Sequence, residues 1–508
     1  MKKIFTLLFV AVAAVAAHAE DYNVPISVVV NTEEGARTVE QTGVISLVEK
    51  DGLYDLTVKN FMLDDPEAPM AVGNVELKNI KPYQDGNATL LVASDLVTFT
   101  PGDDPNVSVW LGPMLPLVKV DLRGKIVGEK LRCYIDIDLT ETLGQVIKVA
   151  IGDGYQIANQ GFEAWHTSTG EYVEPNAWHS FESATGALAS LAGHHIEKSE
   201  DAHSGDASAR IYATAIPLFN IVANGTMTTG RMNAGGTSAT DPANHAYLDM
   251  SKTDLDGNGD PFYTTMYSVP DSIAVWVKFK QGTPNAEHPY ATISATITDD
   301  TRYQDPEDKE YTNVVAKAQN NQIATTNGEW VRITAPFVKT ENAVDPKAVL
   351  VTISTNADGG QGSGGDEVLV DDIEFIYNAH VTDLKIKGRS VPDLNPDGII
   401  YEMELNEEIT ADDIEVTFNG KTAHVLKEVE VEDGCYVCSV VVISADMSAM
   451  ELYSVRVKSN ATGISTLKSE TTQEATYFTL DGRQVTTLVP GRVYICRKAD
   501  GTTTKVRY

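Results

Sequence analysis

Residues 43–63 read GVISLVEKDGLYDLTVKNFML, two runs of alternating apolar residues on either side of Asp51-Gly52. Asp-Gly between such runs is a strong hairpin signal, because both residues tolerate the positive φ that a type I′ turn demands. The same period of two recurs along the chain. Cys133, Ile135, Ile137 and Leu139 fall on one face of a strand, with Tyr134, Asp136 and Asp138 on the other. Ile273, Val275, Val277 and Phe279 alternate with Trp276, Lys278 and Lys280. Residues 291–298, 330–337, 348–355, 367–377, 401–405, 414–418, 436–443 and 453–457 repeat the pattern. Only 141–149 and 186–192 read as helix, and both are short. Many strands separated by turn signals predict an all-β chain built of sandwiches or barrels.

The chain has 508 residues, which predicts three or four domains at about 100–200 residues each. Asp and Glu number 72 against 39 Lys and Arg, a net charge of -33. Such acidity argues against nucleic acid, whose phosphates need Lys and Arg, and against docking on an anionic membrane surface. Neutral ligands such as sugars, and divalent cations, stay open. The charge is uneven: residues 153–379 carry 31 acids and 12 bases, whereas residues 473–508 carry three acids and six bases.

The first residues, MKKIFTLLFVAVAAVAAHAE, have the form of a secretory signal peptide. Lys2 and Lys3 precede an apolar run, and Ala17-His18-Ala19 places small residues where a signal peptidase reads. The run is shorter than the ~20 residues a membrane-spanning helix needs, and no later segment is long and apolar enough to span. An exported or cell-surface protein is expected, with residues 1–19 removed; a Gram-negative bacterium as its source is what the resemblance of the blocks that follow implies. Four cysteines follow the leader. Cys435 and Cys438 have CxxC spacing, but CYVCSVVVI reads as a strand, so buried thiols are expected there instead of a redox pair.

Composition shifts at Ile151-Gly152-Asp153-Gly154, at Tyr377–His380 and at Ser465–Glu474 divide the mature chain into residues 20–152, 153–379, 380–472 and 473–508. The first block has Asp51-Gly52-Leu53-Tyr54-Asp55-Leu56, Lys59-Asn60-Phe61 and Val72-Gly73-Asn74-Val75. On these residues it resembles the calycin-like domains of Bacteroidota-type secreted proteins. The resemblance implies a small antiparallel barrel of lipocalin type, whose interior is either a ligand cavity or filled by side chains. The second block has Asn159-Gln160-Gly161-Phe162-Glu163-Ala164-Trp165, Pro175 with Trp178, and His203-Ser204-Gly205-Asp206-Ala207-Ser208. It continues with Thr229-Gly230-Arg231-Met232, Pro270-Asp271-Ser272-Ile273, Glu329-Trp330 and Val370-Asp371-Asp372-Ile373-Glu374-Phe375. It resembles a carbohydrate metabolism domain family of the same organisms, which implies a jelly-roll sandwich similar to carbohydrate-binding modules. The third block has the strand rhythm of an Ig-like sandwich. The last, with Tyr477-Phe478-Thr479-Leu480-Asp481-Gly482-Arg483 and Lys505-Val506-Arg507-Tyr508, is similar to C-terminal sorting domains of the type IX secretion pathway.

Asp254, Asp256, Asn258 and Asp260 place oxygens at positions one, three, five and seven of a loop whose sixth residue is Gly259. This is the first half of a calcium loop, although Thr265 stands where an EF-hand has its bidentate Glu. A second calcium site follows from the resemblance to jelly-roll binding modules, at Glu163, Ser204-Gly205 and Asp371-Asp372. No organic cofactor is indicated. Sugars stack on planar rings, and Trp165, Trp178, Tyr263 and Tyr267 are the candidate platforms. For hydrolysis, Glu171 and Glu174 are the pair closest in sequence to these rings. His194-His195 and His203 lack a metal-binding spacing, and Gly360-x-Gly362-x-x-Gly365 precedes a strand, unlike a phosphate-binding turn. The leading expectation is carbohydrate binding by residues 153–379. A glycoside-active enzyme using the same block, and an adhesin or scaffold with cell-surface protein partners, are the alternatives.

Overall fold

The computed structural model describes residues 18–32, 35–63, 69–170, 172–216, 221–394, 397–405, 407–432, 434–458, 476–478, 484–485, 493–497 and 503–507. Residues 1–17 of the expected leader and the Thr479–Arg483 part of the tail motif thus lie outside the described residues, whereas His18 and Ala19 belong to the first strand. Nearly all regular structure is strand.

The Asp51-Gly52 turn forms as its residues dictate. Both have positive φ, 54° and 79°, and Lys50 pairs directly with Leu53 across a two-residue loop. That hairpin joins β2 (Gly35–Lys50) to β3 (Leu53–Leu63) in a nine-stranded antiparallel sheet. The others are β1 (His18–Thr32), β4 (Met70–Ile80), β5 (Pro82–Asp85), β6 (Ala88–Val97), β7 (Val118–Val127), β8 (Lys130–Leu139) and β9 (Gln145–Ile151). Their order is β4-β3-β2-β1-β9-β8-β7-β6-β5. The sheet curls until Asn74 in β4 exchanges two backbone hydrogen bonds, 2.8 and 3.1 Å, with Thr100 beyond β6. Gly73 is what lets the two segments meet, since a Cβ there would lie 2.3 Å from the Thr100 carbonyl oxygen.

One expectation fails here. Residues 141–149 are mostly strand, with only Thr140–Leu143 helical. Gly144 adopts the left-handed conformation that ends a helix, and Ile147, Val149 and Ile151 then alternate into the barrel. Strand β9 pairs with both β1 and β8, so burial overrides the local helical pattern.

The barrel interior is packed solid. Val28, Ile45, Leu56, Phe61, Leu77, Val120, Ile135 and Val149 belong to one buried cluster. A void of about 10 Å³ remains among Val58, Phe61, Val75, Ile135, Ile137 and Val149, barely one water's worth. Of the two readings of the interior, filled is the one observed.

Residues 153–379 form a sandwich of two antiparallel sheets. The first runs in the order Ile196–Ser199, Ser208–Tyr212, Glu367–Ile376, Ser272–Lys280, Val331–Pro336. The second runs Thr226–Thr228, Ala348–Ser354, Ala291–Thr298, Val314–Ile323, Val338–Lys339. Ile211, Val275, Val277, Phe279, Val368 and Val370 from one sheet meet Ile293, Ala295, Ile297, Val351 and Ile353 from the other. The alternation in Ser272–Lys280 is therefore the core pattern read from sequence.

The outer wall of the barrel is also covered. Ala88 and Leu90 of β6 pack with Ile443 and Met447. Three buried cations of β7 and β8 cap the turn that follows. Arg123 donates to the Met447 carbonyl at 2.9 Å, Lys125 to the Ala445 carbonyl, and Arg132 to the Asp446 carbonyl at 3.2 Å. These contacts all fall within one compact unit of residues 1–399, 412–427 and 439–454. A second unit comprises residues 400–411, 428–438 and 455–508. It contains the buried Cys435 and Cys438 and a small sheet, Gln484–Val485, Thr476–Phe478, Val493–Arg497, Thr503–Arg507. Among the described residues, no helix is long and apolar enough to cross a membrane.

Candidate functional site

The inward side chains of the second sandwich sheet are apolar, so strand alternation sends the others to its outer surface. On Ala291–Thr298 these are Thr292, Ser294, Thr296 and Thr298; on Ala348–Ser354, Thr352 and Ser354; on Val314–Ile323, Lys317, Gln319 and Asn321. One end of this surface is closed by a small apolar cluster in which Tyr303, Leu248 and Ala246 lie against Val314, Ala348 and Leu350. The other end is open, and there the sheet is the floor of a cleft of about 420 Å³. Phe181, Leu188 and Leu191 make one apolar wall, with Met232 beside them. Asn224, Asn233, Asn244 and Asn356 add amides around the rim.

Several of these groups are held in place. Ser294 donates to Asp305 Oδ2 at 2.8 Å, and Thr292 donates to Asn321 Oδ1 at 2.6 Å. Asn244 Nδ2 donates to the carbonyls of Gly236 and Ser238, while its Oδ1 accepts from the Gly235 and Gly236 amides. Asn224 donates to the carbonyls of Asn356 and Asp358 at 3.3 Å each, but its Oδ1 is buried without a hydrogen-bond partner. Burial pushes the Asp305 carboxyl above its ordinary value, against the opposing effects of the Ser294 hydroxyl and Lys317. Asp305 is the only carboxylate among the described residues that line the cleft.

The four candidate ring platforms lie elsewhere. Trp178 is fully buried, packed on Phe162 at 5.4 Å between ring centres, and cannot face a ligand. Trp165 is half-buried against the sandwich core, its indole N–H donating to the Phe162 carbonyl at 2.6 Å. Tyr263 packs on the cluster that closes the sheet surface. Tyr267 meets Tyr155 edge to face at 6.2 Å and carries Lys130 over its ring at 3.2 Å. Each ring thus makes protein contacts, and of the four Trp178 is the one fully enclosed. Trp276, likewise, is stacked under His203 at 3.8 Å.

The second set of calcium candidates does come together. Glu163 Oε1 accepts from the amides of Asp206 and Ala207 at 2.9 and 3.2 Å, directly beside Gly205. Asp371 is buried, its Oδ2 accepting from the amides of His203 and Ser204 and its Oδ1 from that of Asp372. Burial, then the neighbouring Asp372, push the Asp371 carboxyl up to about 7. Both acids of Asp371-Asp372 thus face the 203–207 turn.

The acidic loop is arranged differently from a calcium loop. Asp254 points away and pairs with Arg231 at 2.5 Å. Asn258 presents its amide N–H, not its oxygen, to Asp260 Oδ2 at 2.9 Å. Asp256 and Asp260 turn inward towards His166 and His179, two residues the sequence did not mark. Of the hydrolytic pair, only Glu174 falls among the described residues. Glu174 is buried and accepts from Ser168, Ser180 and Ser183, and Glu171 lies outside the described residues. His194 pairs with Glu182, and His195 sits between the Tyr212 carbonyl and Thr214.

A comparison with curated proteins finds no match to the chain. At the level of families, residues 19–151 match the calycin-like beta-barrel domain, covering β1 through β9. With the curled nine-stranded sheet and its single apolar interior, this part of the chain is a calycin-like barrel domain.

Proposed function

We propose that this is an exported or cell-surface protein that binds carbohydrate in the open cleft of the 153–379 sandwich. The observation that carries the reading is the cleft floor, where hydroxyl and amide side chains project at strand spacing from three adjacent strands. Neutral polyols are recognised by such arrays of short donors and acceptors, with one apolar wall against a ring face. Phe181, Leu188 and Leu191 supply that wall.

A lone carboxylate, Asp305, favours binding over glycoside cleavage, which takes two acids placed on opposite sides of the bond. A calcium ion held by Glu163, the Ser204-Gly205 turn and Asp371 fits the same proposal. It would neutralise the two adjacent acids and fasten the start of the domain to its last strand.

Glycan-array screening of the full chain tests the proposal, with the Gln319→Ala plus Asn321→Ala protein beside it. Binding to a defined set of glycans is expected, weakened about tenfold or more in the double variant, roughly 1.4 kcal/mol or above. No glycan bound, or equal binding by both proteins, overturns the assignment to this cleft. Release of reducing sugar from a bound polysaccharide would instead establish the enzymatic alternative.

A further inference from the structure

We propose that His166, His179, Asp256 and Asp260 form a closed site for one divalent transition metal of the zinc class. It lies under the edge of the sandwich and is independent of what the cleft binds. His166 belongs to the strand Trp165–Thr169, and His179 follows Tyr172–Pro175 and exchanges backbone hydrogen bonds with Thr228. The two acids come from the loop 254–260, which folds over them. Gly257 lets that loop approach, for a Cβ there would be only 3.3 Å from the Thr167 carbonyl oxygen and 3.8 Å from the His166 ring.

The polarity of the side chains points to a cation. His166 Nδ1 lies 3.1 Å from the acceptor Asn176 Oδ1, and His179 Nε2 lies 3.3 Å from the Pro261 carbonyl. Each acceptor places the proton on the nitrogen it faces, which leaves lone pairs on His166 Nε2 and His179 Nδ1. Asp256 commits Oδ1 to the amides of Asn258 and Asp260, at 2.9 and 2.7 Å. Its Oδ2 is turned inward, 3.4 Å from His166 Nε2 and 3.6 Å from His179 Nδ1. These three atoms are buried and have no hydrogen-bond partner. The side chains of His166, His179 and Asp256 are 9%, 0% and 1% exposed.

Two unprotonated ring nitrogens facing one carboxylate oxygen out of water repel it unless positive charge stands between them. The two separations from Asp256 Oδ2 exceed a hydrogen bond but suit a metal. Ligands at about 2.0–2.1 Å from a tetrahedral ion lie roughly 3.3–3.4 Å apart. The tightest group is His166, Asp256 and Asp260, whose ligand atoms all lie within 4.8 Å of one another, and His179 Nδ1 approaches it from the Asp256 side. Asp260 is itself positioned by the Ala177 amide at 2.8 Å and the Asn258 side chain. Two imidazoles with carboxylates select zinc-like ions, whereas calcium prefers six to eight oxygens. The burial makes the site structural, with no open position for substrate. Its effect would be to pin the 174–183 segment, and with it Phe181, at the rim of the cleft.

Chelator-stripped full-length protein titrated with zinc, and separately with cobalt(II), tests this. One equivalent of zinc should bind and raise the melting temperature. Cobalt should give the intense visible absorption of a tetrahedral centre, and millimolar calcium should not displace either ion. Asp256→Asn keeps the shape of the loop and should weaken zinc binding at least tenfold. If that variant fails to fold, Asn176→Ala, which removes only the support of His166, should still weaken binding measurably. No zinc bound by the wild type, a six-coordinate cobalt spectrum, or undiminished affinity in the folded variants overturns the proposal.

Discussion

Gly205 and Glu163 fit together with no room for a side chain between them: a Cβ on Gly205 would stand 2.1 Å from Glu163 Oε1. Gly205 also has a φ of 64°, in the left-handed region. Gly205→Ala should therefore cost about 1–3 kcal/mol, by displacing the carboxylate from the Asp206 and Ala207 amides and by backbone strain. Urea unfolding of the two proteins measures it. If Glu163 helps hold calcium, the calcium-induced rise in melting temperature should shrink in the same variant.

Lys125 makes stability depend on pH in a predictable direction. Burial pushes its ammonium down to about 8 from 10.5, with Asp446 opposing the shift and Arg132 adding to it. Between these values the unfolded chain holds a proton that the folded chain has released, so this group makes stability rise with pH. A gain of about 1 kcal/mol between pH 8 and 9.5 is expected from it. Lys125→Met should flatten that part of the profile in chemical denaturation. An identical slope in the variant would show that Lys125 is not the source.

The filled barrel predicts that the calycin-like domain carries no apolar ligand. Wild-type protein should leave a hydrophobic fluorescent probe unperturbed. Phe61→Ala, which empties a fully enclosed position beside Val58 and Ile135, should cost roughly 3–5 kcal/mol. It should also create a cavity to which a small apolar probe binds. Probe binding by the wild type at this site would contradict the packing described.

Trp178 separates folding from recognition. Trp178→Ala should destabilise by about 3–5 kcal/mol, because the indole is wholly enclosed beside Phe162. Trp178→Phe should retain most stability and leave glycan affinity within twofold. A selective loss of binding in a stable Trp178→Phe protein would bring the ring back as a ligand contact.

The fold was legible wherever two-residue periodicity met a clear turn. Asp51-Gly52 and the faces of Lys130–Leu139 and Ser272–Lys280 needed nothing beyond local pattern. The strand Gln145–Ile151 was not legible, because TETLGQVIKVAI offers a helical start and only tertiary pairing decides against its continuation. Aromatic residues misled for a related reason. Sequence places Trp178 near other candidate residues but cannot tell an enclosed ring from an exposed one. The cleft residues were missed because Thr, Ser, Gln and Asn on alternate strand positions look like any solvated face. His166 and His179 were unmarked for want of a short metal-binding spacing. Their acids sit some 80 residues away among the 72 of the chain, and the loop drew attention for a different ion.

The three cations on the barrel wall all address main-chain carbonyls, at Ala445, Asp446 and Met447. The junction reads the peptide oxygens of the turn, while the buried Met447 side chain packs on Ala88 and Leu90 and Asp446 acts on Lys125. The barrel thus has its lumen sealed and its exterior recruited as a mounting plate. A change in the length of the mounted turn would move all three carbonyls off their cations at once and tear the junction apart.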